Sequence, residues 1–505
     1  MFIFINNAVN RKVYTELQCT PDIYSFDNPQ FFGKPIFMLN DSVHLLKCTI
    51  WHNWLNQKDT DQTFICPPFP VNSGGPVMKA TLSSLKSLYH QGQQNIAKLV
   101  PALTHKALNP SSLDRQKVSL ALGVFNNYNV AALQLVGQND TANFINVILQ
   151  WWSIANVKNK YCGTRTRNTF ANPITNEDKS NLRHLIEFRQ WLEAWRNLDS
   201  RGGKLTSETF SALTRTVNAV VQISEYALNT LGIEYVLLGK LQTDNLEARF
   251  SEYRQLSGAN YLVSVQVLEA EKKLKVYSLL CICSSSFGDV AISDMSSIFE
   301  TDNELEDAPS MPSEFRHAWF FLNVEDCEII VPDGTVEVLV YISGFLAFRV
   351  SKKLKCSTCC KALQQDKGLI ADIEPDLSIV EWLDYTCLLD RGGLRYPSQP
   401  LTVLTLIAYL VVQTLISAEY EHQFLNASNQ KEIVVDTVAA NFHQHFTDAS
   451  SCTACGCSTT DVLARAIPSL ANIFLNNYRK TRNDTDKLEQ AEASLRRKMR
   501  KFNQQ

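Results

Sequence analysis

The 505-residue sequence has little net charge, with 48 Lys and Arg against 51 Asp and Glu leaving −3 at neutral pH. No overall basic field surrounds such a chain, so any nucleic-acid contact has to come from local clusters. Also missing is an apolar run of the roughly 20 residues that a membrane-spanning helix needs. The most membrane-like stretch, LTVLTLIAYLVVQTLI from Leu401 to Ile416, is shorter and is interrupted by Thr and Gln, which favours a buried helix. The opening residues MFIFINNAVNRK lack the basic n-region, longer apolar core and small-residue cleavage site of a secretory signal. The 14 cysteines are therefore read as intracellular thiols, with metal binding as one use for some of them. No repeat of fixed period runs through the chain. With 45% hydrophobic and 20% charged residues, the sequence has material for several cores and reads as a globular protein of two to four domains.

Along the chain, KPIFMLND (Lys34 to Asp41) reads as a buried strand ending on an acid. SVHLLKCTIWHNWLN follows it with Val43, Leu46, Ile50 and Trp54 at helical spacing. The Pro- and Gly-rich CPPFPVNSGGP (Cys66 to Pro76) marks a boundary. From about Val77 to Thr230 the pattern is helical almost throughout. Leu182, Leu185, Phe188, Leu192 and Trp195 fall on one stripe, and Phe210, Leu213, Val217, Val221 and Leu228 on another, which is the signature of core packing. Beyond Asn260 come apolar alternation and an acidic linker, Asp302 to Glu314. The remainder mixes strand-like runs such as GTVEVLVYISGFLAF with helices and closes on a tail that is basic at its end.

Candidate chemistry starts with GKLQTDNLEARFSEYRQLSGAN, Gly239 to Asn260, where Asp244 and Glu247 lie three residues apart at a helix start. Thr243 has the chemistry of an N-cap, and acids in a first helical turn complement the macrodipole, so the pair alone has a structural explanation. Asp41 adds a second reading. A carboxylate from a strand end and one from a helix start can share a hard cation such as Mg²⁺, and two such ions clamp the oxygens of a phosphoryl displacement.

NDSVHLLKCTIWHNWLN resembles the Asp-x-x-His-Leu-x-Lys block of the P-element-type transposases, the family that includes the THAP-domain transposases. LQTDNLEARFSEYRQLSGAN is similar to that family's Gln-x-Asp-x-x-Glu-x-x-Phe-x-x-x-Arg-x-x-Gly block, with one extra residue between Arg254 and Gly258. The resemblance covers most of Asn10 to Lys275. It implies a mixed α/β, mostly helical chain. Residues 1–75 and 225–275 would form a partial, split RNase H-like catalytic domain, interrupted by an all-α insertion of the GTP-binding type at 76–224. From composition and patterning, an acidic linker region at 276–315 and a mixed α/β C-terminal domain at 316–505 are expected to follow. The resemblance further implies Mg²⁺-dependent DNA cleavage and transfer at transposon ends, with homo-oligomers, a nuclear location and no membrane.

Carried across residue by residue, the resemblance makes Asp41 and Glu247 catalytic metal ligands. Asp244 becomes a GTP contact, so that two acids one turn apart would face different ligands. His44 either packs on its helix face or joins the site. The family's first acid is expected on a strand upstream of Met1, so the chain reads as N-terminally truncated and little or no cutting is expected from it as given. In the insertion, DRQKVSLALGVFNNYNV and FINVILQWWSIAN resemble nucleotide-contact segments and nominate Lys117, Val118 and Asn156. Ser153 stands where an acid is expected, and a single hydroxyl cannot reproduce a carboxylate's bidentate grip on guanine. A plain helical domain is the alternative. For the whole chain, the alternatives are a non-catalytic nucleic-acid-binding or regulatory protein made from transposase parts, or a GTP-binding helical module.

A separate signal lies in the late cysteines. Cys356 and Cys359 form one C-x-x-C and Cys452 and Cys455 another, with His443, His445 and Cys457 nearby. Two such pairs can build a tetrahedral Zn²⁺ site, though the interval between them exceeds usual finger spacing, and free thiols in turns are the alternative. LLDRGGLRYPS (Leu388 to Ser398) resembles the family's C-terminal region without implying chemistry. The tail's Arg496, Arg497, Lys498, Arg500 and Lys501 suit phosphate contacts, a nuclear-localisation signal or a solvated helix end.

Overall fold

The computed structural model describes residues 2–4, 25–26, 28, 33–93, 95–243, 247–249, 251–252, 331–365, 382–446 and 451–483. Asp244, Arg254, the Asp302–Glu314 linker, the NNAVNRK segment and the basic tail lie outside the described residues. Within them the protein is mostly helical with a few small sheets, and no helix is long and apolar enough to cross a membrane. The chain divides into two compact units, one from Met1–Ala80, Pro110–Leu122 and Val147–Ile298, the other from Thr81–Asn109, Gly123–Asn146 and Phe299–Gln505.

The first unit centres on a small sheet in which β3 (Ile36–Asn40) lies between β1 (Phe2–Phe4), parallel to it, and β2 (Ser25–Phe26), antiparallel. Phe37, Met38, Leu39 and Asn40 are all buried, so β3 is covered on both faces and reads as a continuous apolar run rather than an alternation. The chain then turns at Asp41 into a helical run, Ser42–His44, Leu45–Trp51 and His52–Leu55, whose middle stretch is π-helical. Helix α2 (Ser180–Asn197) and helix α3 (Ser207–Glu225) pack as a pair, and α3 also packs on β3; α1 (Asn139–Ala155) precedes them in the chain. Asn40 fixes the α3 contact. Its backbone N–H donates to Thr216 Oγ1 at 2.9 Å, and its side-chain amide donates to the Ala212 carbonyl at 3.3 Å.

Leu182, Leu185, Phe188, Leu192 and Trp195 are all buried, as their spacing predicts. Between the helices lies a continuous run of rings. Trp54 stacks on Phe64 at 5.8 Å, Phe64 meets Trp195 edge-on at 5.2 Å, and Trp195 meets Trp191 at 5.0 Å and Phe210 at 5.4 Å. The indole N–H of Trp191 donates to the Pro67 carbonyl at 2.9 Å, which satisfies its one polar group inside the core.

The second unit is helical around α4 (Thr335–Ser351), α5 (Ser357–Leu363), α6 (Gln399–Leu415), α7 (Gln430–His445) and α8 (Thr459–Ala464). The run GTVEVLVYISGFLAF, expected as strand, is the helix α4. Its β-branched and aromatic composition favours a strand locally, but ten of its residues are buried. A helix covered on so many sides leaves no amphipathic stripe to read. Strand content among the described residues of this region is a two-residue pair, Gln364–Gln365 with Tyr396–Pro397, and one isolated bridge, so the expected mixture is mainly helix there. The Leu401–Ile416 stretch forms α6 with eleven of its residues buried, which is where its hydrophobicity goes. LLDRGGLRYPS has a structural use. Asp390 Oδ1 accepts the N–H groups of Gly392, Gly393 and Leu394 at 2.7 to 3.1 Å, and its other oxygen accepts from the Tyr396 hydroxyl at 2.9 Å.

Candidate active site

Asp41 follows the buried end of β3 and is itself 1% exposed. Its backbone is extended (φ −63°, ψ 123°), so it caps the helical run that begins at Ser42. One carboxylate oxygen, Oδ1, accepts from the Val43 N–H at 3.2 Å, leaving Oδ2 to face the other elements. His44 comes three residues later, about one helical turn on, and its Nε2 reaches back to 3.8 Å from Asp41 Oδ2. Lys47 lies in the same block but turns away, and its ammonium donates to the Gln116 carbonyl at 3.1 Å. The helix widens to π geometry from Leu45 to Trp51, a distortion that recurs at functional sites.

The returning chain is docked by its backbone. The Gly239 N–H donates to the Val157 carbonyl at 2.9 Å, and the Gln242 side-chain amide donates to the Ala155 carbonyl at 3.1 Å, so the segment sits against the end of α1. The Thr243 hydroxyl then lies 2.8 Å from Asp41 Oδ2 and 3.2 Å from Glu247 Oε1. It carries one proton, which goes to the nearer Asp41 oxygen. Thr243, expected as a simple N-cap, thus turns its hydroxyl to the two carboxylates. Glu247 Oε1 is 3.7 Å from His44 Nε2, and the Glu247 side chain is 60% exposed. One ligand atom from each of Asp41, His44 and Glu247 falls within 4.8 Å of the others.

Burial, and after it the Lys47 charge, push the His44 imidazole below its ordinary pKa, against the pull of Asp41 and Glu247. The imidazole is therefore held neutral near pH 7, with a ring nitrogen available as a ligand. Two carboxylates and a neutral imidazole, one carboxylate buried and one open to solvent, form a donor set that fits a divalent cation retaining waters on its open side.

The other nominated residues are engaged locally. Lys117 pairs with Asp114 at 2.9 Å, next to Val118, which starts the helix Val118–Val124. Ser153 accepts from the Asn168 amide at 3.2 Å, and the Asn156 N–H closes the end of α1 on the Trp152 carbonyl at 2.9 Å.

Gly239, Gln242 and Thr243 are site residues that sequence reasoning passed over as positioners. Only Gly239 carries a local signal, and its reason is steric. A Cβ there would sit 2.7 Å from the Val157 carbonyl oxygen and 2.8 Å from the Asn156 carbonyl carbon. Gly239→Ala is accordingly expected to cost about 1–3 kcal/mol in urea unfolding and, by shifting Glu247, to weaken Mn²⁺ binding measured by calorimetry.

The late cysteines form a second cluster, in the second unit. Cys356 caps α5, Cys359 lies in its first turn, and Cys452 and Cys455 come from the turn between Ser451 and Ser458. Their four sulfurs lie within 4.8 Å of one another, a set compatible with Zn²⁺. The Cys359 backbone N–H, followed by the neighbouring thiols, draws Cys356 down to about 6, while the Cys455 thiol pushes Cys359 upward. His443 and His445, at the end of α7, are not members of the cluster.

Compared with known proteins, residues 331–476 match the family model described as the C-terminal domain of DNA transposase THAP9. The match falls wholly outside Asn10 to Lys275, where the two acid-bearing blocks lie. The solved structure described as the Drosophila P element transposase strand transfer complex aligns at 18% identity with a TM-score of 0.46. That alignment covers 54% of this chain and 59% of the other, less than two thirds of its length. No curated protein matches the chain.

Proposed function

We propose, for a chain of the P-element transposase type, that Asp41 and Glu247 are the metal-holding carboxylates of a DNA strand-cleavage and strand-transfer site. The observation that carries this reading is the meeting of Asp41, His44 and Glu247 around one point, although the acids come from opposite ends of a long helical excursion. In the same reading, residues 1–75 and 225–275 form a split RNase H-like domain, and 76–224 its insertion, whose helix α3 stays on β3. The parallel pairing of β1 with β3, and the acid at the end of β3, support that assignment.

The group held would be Mg²⁺ or Mn²⁺, whose chemistry is to activate a water or 3′-hydroxyl and to stabilise the departing oxygen of the phosphodiester. The chain's own residues do the remaining work. Asp41 offers Oδ2 from a fixed rotamer, because the Val43 N–H holds Oδ1 and Thr243 steadies Oδ2. Glu247 offers an oxygen on the solvent side, where a DNA backbone can approach. His44, neutral, contributes a nitrogen without adding charge. The partners in this reading are transposon-end DNA and further copies of the chain, and the location is the nucleus.

We further propose that this chain cuts poorly. Two metal ions about 4 Å apart need carboxylates on both, and the described cluster supplies two acids and an imidazole. Incubated with Mn²⁺ and a duplex carrying the element's inverted repeat, the chain is expected to bind the DNA and leave it without specific nicks. Robust nicking that disappears in Glu247→Gln would overturn the inactivity. Failure to bind either DNA or Mn²⁺ would overturn the transposase reading itself.

A further inference from the structure

We infer that Cys356, Cys359, Cys452 and Cys455 bind one structural zinc ion that staples the start of α5 to the turn preceding α8. The distances are the first argument. Cys356 and Cys452 sulfurs are 3.6 Å apart, and Cys359 and Cys455 sulfurs 3.3 Å. Tetrahedral Zn²⁺ with bonds of about 2.3 Å sets its sulfurs roughly 3.8 Å apart, whereas a disulfide needs about 2.05 Å. Four thiols drawn this close, with only weak S–H donors between them, gain little without a cation.

The local backbone is the second argument. The C-x-x-C of α5 lies on the first helical turn, with Cys356 at the N-cap and Cys359 in the turn itself. In the other arm the Cys452 N–H donates to the Cys457 carbonyl, and the Gly456 N–H to the Cys452 carbonyl, both at 2.8 Å. These bonds close the chain into a tight turn around Cys455. Gly456 makes the turn with φ +74°, a conformation that costs glycine little and other residues more. C-x-x-C-Gly in this geometry turns both sulfurs to one side, as a metal knuckle requires.

Selectivity among neighbours is the third. Cys360 directs its sulfur to the Ser351 carbonyl at 3.8 Å, and Cys457 lines a cavity of about 270 Å³ beside the cluster; neither is among the four. The two arms are 96 residues apart in sequence, and α5 packs on α8 as well as on α4. A metal here would close a long loop across the helical unit and tie its packing to metal supply.

The test uses the full chain purified under reducing conditions from zinc-replete cells. Elemental analysis is expected to find about one zinc per chain. Replacement with Co²⁺ should give the intense thiolate-to-cobalt absorption and the visible bands of a tetrahedral four-sulfur site. Cys356→Ser, Cys359→Ser, Cys452→Ser and Cys455→Ser should each lose most of the bound zinc, while Cys360→Ser and Cys457→Ser keep it. Should the ligand variants precipitate, the wild-type chain decides. Chelation should lower its melting temperature and readded Zn²⁺ should restore it. Substoichiometric zinc, peptide maps showing Cys356–Cys452 and Cys359–Cys455 disulfides, full zinc retention in the ligand variants, or a melting temperature indifferent to chelation would overturn the inference.

Discussion

Asp41→Asn is expected to weaken Mn²⁺ binding a hundredfold or more, on the order of 3 kcal/mol, while leaving the stability of the chain unchanged or slightly raised. The two halves of this expectation come from different oxygens. At Oδ1, asparagine still accepts the Val43 N–H and remains a strong N-cap. At Oδ2, an amide can donate to Thr243 Oγ1, so the hydroxyl only has to reverse its role. What disappears is a fully buried carboxylate that faces Glu247 across His44, while Lys47 of the same helical run turns its ammonium to a backbone carbonyl. Removing such a group relieves desolvation and repulsion. A carboxylate kept for the fold would behave in the opposite way, costing stability on replacement. Calorimetric titration with Mn²⁺, alongside urea unfolding of the same variant, separates the two, and a stable variant that binds Mn²⁺ as the parent does would exclude the metal role.

The second large effect concerns the aromatic run packed along α2 and α3. Trp191→Ala is expected to lower stability by about 3–5 kcal/mol, the range for emptying a large buried ring. Trp191 is fully buried, stacks near Phe188 at 5.6 Å and meets Trp195 at 5.0 Å, so neighbouring rings on the same helix restrict collapse into the void. The Pro67 carbonyl would also lose its indole donor. Trp191→Phe should retain most of the packing and lose about 1–2 kcal/mol, chiefly through that hydrogen bond. The consequence reaches the site through α3. Phe210 of α3 joins the same ring run, and Thr216 of α3 holds Asn40, the residue before Asp41. Urea unfolding followed by tryptophan fluorescence measures both variants, and an Ala variant within 1 kcal/mol of the parent would mean the rings do not act as one core.

What could be read in advance followed from residues whose partners are close in sequence or whose environment is one-sided. KPIFMLND announced a buried strand because β3 is covered on both faces, and α2 announced its inner face because only one stripe of it is buried. The same logic explains the failure at α4. Burial on many sides erased its periodicity, and valine, isoleucine and phenylalanine then spoke for a strand. At the carboxylate cluster the acids were legible through block resemblance, but the groups that place them were not. Gly239, Gln242 and Thr243 act on Val157, Ala155 and Asp41, partners that no local spacing reveals. The four cysteines were nominated by type, yet only the packing of α5 against α8 brings their two pairs together.

Anomalous scattering from Mn²⁺ in crystals of the chain tests the central claim most directly. A peak is expected within about 2.0–2.6 Å of one carboxylate oxygen each from Asp41 and Glu247, absent in Asp41→Asn crystals soaked in the same way. A peak elsewhere with that pair left bare, or one that survives the Asn substitution at full height, would contradict it.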